Sequence, residues 1–249
     1  FSETTSFNQD IGDWNTSSAT LLNYMFKNAL SFNQDISDWN IAANASVTGM
    51  FDDTPSLSNL NKGQIHKTFS SITNWPNEWS IFVTYEPITD ANFQDAVNLW
   101  FSDEANATFT YGHIRDWNTS AVTDMSNAFD SRSNFNEDIS GWDVSSVENM
   151  SMMFKEASSF NKDIGNWDVS SVLSMYRIFR DATLFNQDIS KWYVSRVQNL
   201  GAAFERASSF NQNISNWNIS SVIILDHLFN GASSFNQDIG SWDTSSASS

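Results

Sequence analysis

The chain has no cysteine in its 249 residues, which excludes a disulfide framework and any thiolate metal site. Basic residues are scarce: 12 Lys and Arg stand against 29 Asp and Glu, a formal net charge of −17. Such a surface repels nucleic acid and anionic membrane, so neither is an expected partner. No apolar run approaches the roughly 18 residues of a membrane-spanning helix, and no signal peptide opens the segment, so direct membrane insertion is not expected of it. The three histidines, His66, His113 and His227, are isolated, and no HExxH, GxSxG, phosphate-binding loop or dinucleotide fingerprint occurs. The expectation is a protein that is not an enzyme.

Aromatic residues are abundant instead, with 20 Phe and 11 Trp, so the acidity is not that of a disordered tail. They recur on a fixed step. Trp117, Trp142, Trp167, Trp192, Trp217 and Trp242 are each 25 residues apart, and two phenylalanine series through Phe129 and Phe135 keep the same period. Near the N-terminus Trp14 and Trp39, with Phe7, Phe26 and Phe32, follow it too. A period of this length predicts a solenoid in which each coil buries its apolar face against the next. In "DISGWDVSSV" the residues Ile139, Trp142, Val144 and Val147 match the L-x-x-L-x-L spacing of a short strand. Val147, Met150, Phe154 and Ala157 then fall at helical spacing, with Ser145 and Glu148 as a capping box and Asp124 and Asp226 as first-turn acids in other copies. The predicted fold is therefore an α/β repeat, a leucine-rich-repeat-like solenoid. Each coil would hold one short parallel strand and one helix, in two arrays separated by capping segments, with the tryptophan in the core.

Units such as "FNEDISGWDVSSVENMSMMFKEASSFN" resemble the BspA-like leucine-rich repeat surface proteins, whose 25-residue class is also found in mycoplasma surface lipoproteins. The resemblance covers about 1 to 57 and 114 to 249. It implies an extracellular or cell-surface location and a structural or adhesive role. One departure is that Val147 and its equivalents stand where ordinary leucine-rich repeats place Asn, so the asparagine ladder is expected to be absent or moved, with the Asn of "FN" as the candidate for a moved one. Residues 1–57 read as the end of a first array and 58–88 as its C-terminal cap and linker. In the cap, Ile65 and Phe69 lie on a helix and Trp75, Trp79 and Phe82 cover the last coil. Residues 89–113 read as an N-terminal cap helix started by Thr89, and 114–249 as a truncated second array. Both ends fall inside a repeat, which leads to the expectation of a segment from a longer fibre or stalk.

Two polar rows are candidates for chemistry. The first, Asp138, Asp163, Asp188 and Asp238, would stack at about 4.8 Å, the spacing of neighbouring strands. Its readings are turn residues bonding nearby N–H groups or ligands of calcium, the one cofactor considered. The second, Asn118, Asp143, Asp168, Tyr193, Asn218 and Asp243, would lie on the outward strand face, where solenoids bind ligands. Expected partners are the chain itself, neighbouring surface proteins or extracellular glycans. The leading functional expectation is a non-catalytic extracellular structural or adhesive repeat; the alternative is a glycan- or protein-binding module using that polar face.

Overall fold

The 25-residue period survives in three dimensions as a period of turns. The structure, a computed structural model, describes residues 1–248. Among the described residues, strand pairing is limited to isolated parallel bridges, at Leu21–Ser46 and along Asp124, Asn149, Ser174, Asn199 and Ile224. The α-helices there are α1 (Asn59–Phe69), α2 (Phe93–Ser102) and α3 (Glu104–Tyr111), all outside the regular repeats. The expected leucine-rich-repeat solenoid, with a strand and a helix in every coil, is thus overturned.

The physical reason is a pair of left-handed residues in each coil, four positions apart. They are Tyr24 and Asn28, Gly49 and Asp53, Asn127 and Ser131, Met152 and Glu156, Arg177 and Asp181, Ala202 and Arg206, and His227 and Gly231. An α-helix of L-residues admits no such conformation. Each occupies the third position of a four-residue turn, where a type II turn requires positive φ. Ala128 donates its N–H to Met125 O across Asn127, for example, and Arg132 donates to Phe129 O across Ser131. The intervening N–H groups point along the stack. Those of Met125, Asn127, Phe129 and Ser131 donate to the carbonyls of Asn149, Ser151, Met153 and Lys155 one coil further on. Met150, Met152, Phe154 and Glu156 repeat the pattern onto Ser174, Tyr176, Ile178 and Arg180. Each non-glycine left-handed residue costs about 1–2 kcal/mol. The compensation is that N–H groups a helix would have satisfied donate instead to the carbonyls of the next coil.

Inside these turns the aromatic side chains form columns. Phe129, Phe154, Phe179, Phe204 and Phe229 stack at centroid steps of 5.5 to 5.7 Å. Phe135, Phe160, Phe185, Phe210 and Phe235 run beside them at 5.7 to 6.1 Å. Within a coil the two columns touch, as in Phe154–Phe160 at 4.0 Å. The tryptophans from Trp117 to Trp217 are buried. Each indole N–H of the later coils donates to an isoleucine carbonyl 28 residues earlier, as Trp142 does to Ile114 O at 2.8 Å and Trp192 to Ile164 O at 3.0 Å. One side chain therefore fills the core and also ties two coils together. Trp14 is the exception, half exposed against Trp39.

The contacts divide the chain into two compact units, Phe1–Tyr85 and Glu86–Ser249. In the first, α1 buries Gly63, Ile65 and Phe69. Trp79 packs on the coil residue Phe51 at 5.2 Å, and Trp75 lies edge-on to Phe69 at 5.5 Å. Gly63 is required there because a Cβ would collide with the Phe82 carbonyl oxygen. In the second unit α2 buries Phe93, Ala96, Val97 and Trp100. Phe93 meets Trp142 edge-on at 5.8 Å and Trp100 meets Trp117 at 6.4 Å. The helix begins later than Thr89: Asn92 is the N-cap residue, and its Oδ1 accepts the N–H of Thr89.

Candidate functional site

The polar groups of the repeat fall into rows, and most are engaged within the fold. The Asn of each "FN" forms the ladder that ordinary leucine-rich repeats place elsewhere. Asn136, Asn161, Asn186 and Asn211 each accept, through Oδ1, the backbone N–H of the corresponding asparagine in the next coil, at 2.9 to 3.0 Å. Where a glutamine follows, its Nε2 adds a second bond to the same oxygen, as Gln187 does on Asn161 and Gln212 on Asn186. In the first unit Asn8 accepts the N–H of Asn33, Asn33 accepts the N–H of Ser58 at the equivalent position, and Asn61 of α1 takes the glutamine's part on Asn33.

The aspartate row sits in turns. Asp138, Asp163, Asp188 and Asp238 each accept the N–H two residues ahead, from Ser140, Gly165, Ser190 and Gly240 at 2.9 to 3.1 Å. The hydroxyl and N–H of Ser140 hold the Asp138 carboxyl below its ordinary pKa, and the N–H and hydroxyl of Ser190 do so for Asp188. No group of three or more His, Cys, Asp and Glu residues able to hold a metal ion occurs among the described residues.

The outer row is exposed as expected, but it lies on no strand. Asn118, Asp143, Asp168, Asn218 and Asp243 each cap a turn by accepting the N–H of the serine two residues on, at 3.0 to 3.2 Å. The expected capping-box serine Ser145 donates its hydroxyl to Asp143, and this bond with the Ser145 N–H lowers the Asp143 pKa. Asp124, expected in a helical first turn, likewise accepts the Ser126 N–H.

Tyr193 breaks the row. Having no carboxylate or amide, it cannot cap Ser195, and the Ser195 N–H and hydroxyl have no hydrogen-bond partner among the described residues. The Tyr193 ring is 76% exposed. Beside it runs a groove of about 660 Å³ whose lining includes Lys191, Trp192, Tyr193, Ser195, Asn216 and Asn218. The structure thus brings two of the six outer-row candidates, Tyr193 and Asn218, to one concavity.

Two features escaped the sequence reading. Asp90 ends the second unit's stack: its carboxylate accepts the N–H groups of Thr123 and Asp124 and the Thr123 hydroxyl. In the next coil the equivalent N–H groups, of Glu148 and Asn149, go to Thr123 O. One carboxylate therefore stands in for a carbonyl of a preceding coil. The Thr123 hydroxyl, ahead of its N–H, lowers the Asp90 pKa. The second feature is an ion-pair file along one edge. Lys155 pairs with Asp130 at 2.9 Å, Arg180 with Glu205 at 2.9 Å, and Arg206 with Asp181 at 2.6 Å. Opposite charges 25 residues apart, Asp130 with Lys155 and Asp181 with Arg206, were the available signal.

No curated protein and no solved structure matches the chain. One family does, over residues 1–79, 95–202 and 187–249, so that 80–94 alone lie outside the match. These stretches contain the turn coils, the asparagine ladder and α1 with its cap. The chain belongs to the family described as "Mycoplasma protein of unknown function, DUF285".

Proposed function

We propose that this chain is a non-catalytic extracellular repeat protein with a structural or adhesive role. The observation that carries the reading is the use of its polar groups. The Asn, Asp and Trp N–H rows are spent on joining or turning coils, a use that supports a scaffold more than a converging set of acids, bases and nucleophiles. The resemblance to BspA-like surface proteins, taken as kinship among 25-residue surface repeats and not as a shared fold, supports a location outside the cell. The formal charge of −17 keeps such scaffolds soluble and apart. Antibody raised to the chain should label intact source cells, and protease added to those cells should remove the label. Labelling confined to permeabilised cells would overturn the reading. A second reading, a glycan- or protein-binding module, is favoured by one observation, the groove beside Tyr193.

A further inference from the structure

The coil around Tyr193 departs from its neighbours in three places. Its sequence is "SKWYVSR", where the others read "SGWDVSS", "GNWDVSS", "SNWNISS" and "GSWDTSS". Tyr193 removes a turn-capping group, and Lys191 and Arg196 add two positive charges in a chain that is otherwise strongly acidic. Little of this serves the fold. The turn loses its cap. Lys191 makes one long bond to Asn166 Oδ1 in the preceding coil, at 3.4 Å, and its charge acts weakly on Asp188, while Arg196 has no ion-pair partner among the described residues.

What these losses leave is a set of groups facing outward. An exposed flat ring offers a face for the C–H groups of a sugar, whose partial positive charge suits the negative face of the aromatic. Ser195 has an N–H and a hydroxyl without partners among the described residues. Asn218 spends Oδ1 on Ser220 and keeps its Nδ2 group unpaired among the described residues. Lys191 lines the same groove, and Arg196 follows Tyr193 by three residues. An ammonium and a guanidinium bond carboxylate or sulfate oxygens with charge assistance. The volume of about 660 Å³ falls within the range of small-ligand sites.

We propose that the groove lined by Lys191, Tyr193, Ser195 and Asn218 binds an anionic saccharide, a sugar chain bearing carboxylate or sulfate groups. The site rests on the reading of the chain as a non-catalytic surface repeat and gives its adhesive form a ligand class. Its test is independent of where the protein resides.

Purified chain would be run in affinity gels containing alginate, chondroitin sulfate or neutral dextran. Retardation by alginate assigns carboxylate recognition, and retardation by chondroitin sulfate, which carries both groups, without retardation by alginate assigns a requirement for sulfate; either supports the site. The decisive variant is Tyr193→Asp, which restores the turn cap of the sister coils and so leaves folding intact. It should weaken binding by at least about tenfold, equivalent to about 1.4 kcal/mol, with a melting temperature no lower than that of the parent. Lys191→Ser should weaken binding and flatten its salt dependence. No retardation by either anionic polymer, equal retardation by dextran, or unchanged binding in Tyr193→Asp would overturn the proposal. Surface labelling of intact cells would be unaffected by any of these results.

Discussion

Gly231→Ala separates a coil of turns from a coil of helix by the sign of its effect. In a helix interior, replacing glycine with alanine adds about 1 kcal/mol of stability. Gly231 has a φ of 73° and is the third residue of the turn in which Ala232 donates its N–H to Phe229 O. An alanine held left-handed there costs about 1–2 kcal/mol, and its Cβ would lie 3.0 Å from Arg206 Cγ. That carbon lies near the root of a side chain whose guanidinium is held by Asp181, so the contact adds to the loss. The lower entropy of the unfolded alanine chain returns about 0.4–1 kcal/mol. Before that contact is counted, the balance is a loss of about 0–1.6 kcal/mol. For a unit of this size each kcal/mol moves the melting temperature by about 2–4 °C, so a fall of up to about 6 °C is expected, against a rise of about 2–4 °C for a helix. Thermal unfolding followed by circular dichroism reads the shift, and amide exchange at Ala232 localises it. A variant that melts at or above the parent temperature would refute the turn assignment. Gly49→Ala should be more damaging, because its φ is 61° and a Cβ would approach Tyr24 Cε1 to 2.4 Å.

Trp167→Ala removes a buried ring and an N–H bond to Ile139 O and should cost about 3–5 kcal/mol. Asp168→Ala removes only an exposed turn bond to Ser170, worth about 0.5–1.5 kcal/mol; equal losses in the two denaturant titrations would contradict the placement. Asn186→Ala deletes the oxygen that accepts from both Asn211 and Gln212. Two bonds at about 1 kcal/mol each should go, with faster exchange of the Asn211 amide as the specific readout. The Arg206 guanidinium holds the Asp181 carboxyl below its ordinary value, so the unfolded state binds the proton more readily. The stabilisation is present above about pH 4 and is lost as pH falls through the folded pKa. Arg206→Gln should therefore shrink the difference in melting temperature between pH 7 and pH 3. Chelator should leave the melting temperature unchanged, because Asp138, Asp163 and Asp188 already accept turn N–H groups; a fall restored by calcium alone would make them ligands.

The period, the buried tryptophans and the move of the asparagine ladder to "FN" were legible because they are written identically in every coil. The backbone was not, and the reason is degeneracy of spacing. Buried residues at Val147, Met150, Phe154 and Ala157 fit one face of a helix, yet successive turn steps of three and four residues place the same side chains inward. The distinguishing signal was weak: glycine fills the left-handed position at 49 and 231, Asn or Asp at 28, 53, 127 and 181, and Tyr, Ser and His at 24, 131 and 227, but Met, Glu, Arg and Ala fill it at 152, 156, 177, 202 and 206. Those residues favour helix in isolation. They are held left-handed by the inter-coil N–H bonds on either side, a tertiary constraint that local propensity does not contain.

The outer row shows why regularity and function read differently. Asn118, Asp143, Asp168 and Asp243 look like binding residues in sequence because they are polar, exposed and periodic. Periodicity is the property a turn cap must have when every coil makes the same turn, and each is so engaged. Tyr193 is exposed and departs from the pattern, with the turn at Ser195 left uncapped as its cost. In a chain built by repetition, the repeated residue is explained by the coil it helps to close. The departure has no such explanation, and its three changes together reverse the local charge beside the one groove that Tyr193 and Asn218 share. If that cost bought no binding, Tyr193→Asp should improve stability and change nothing else.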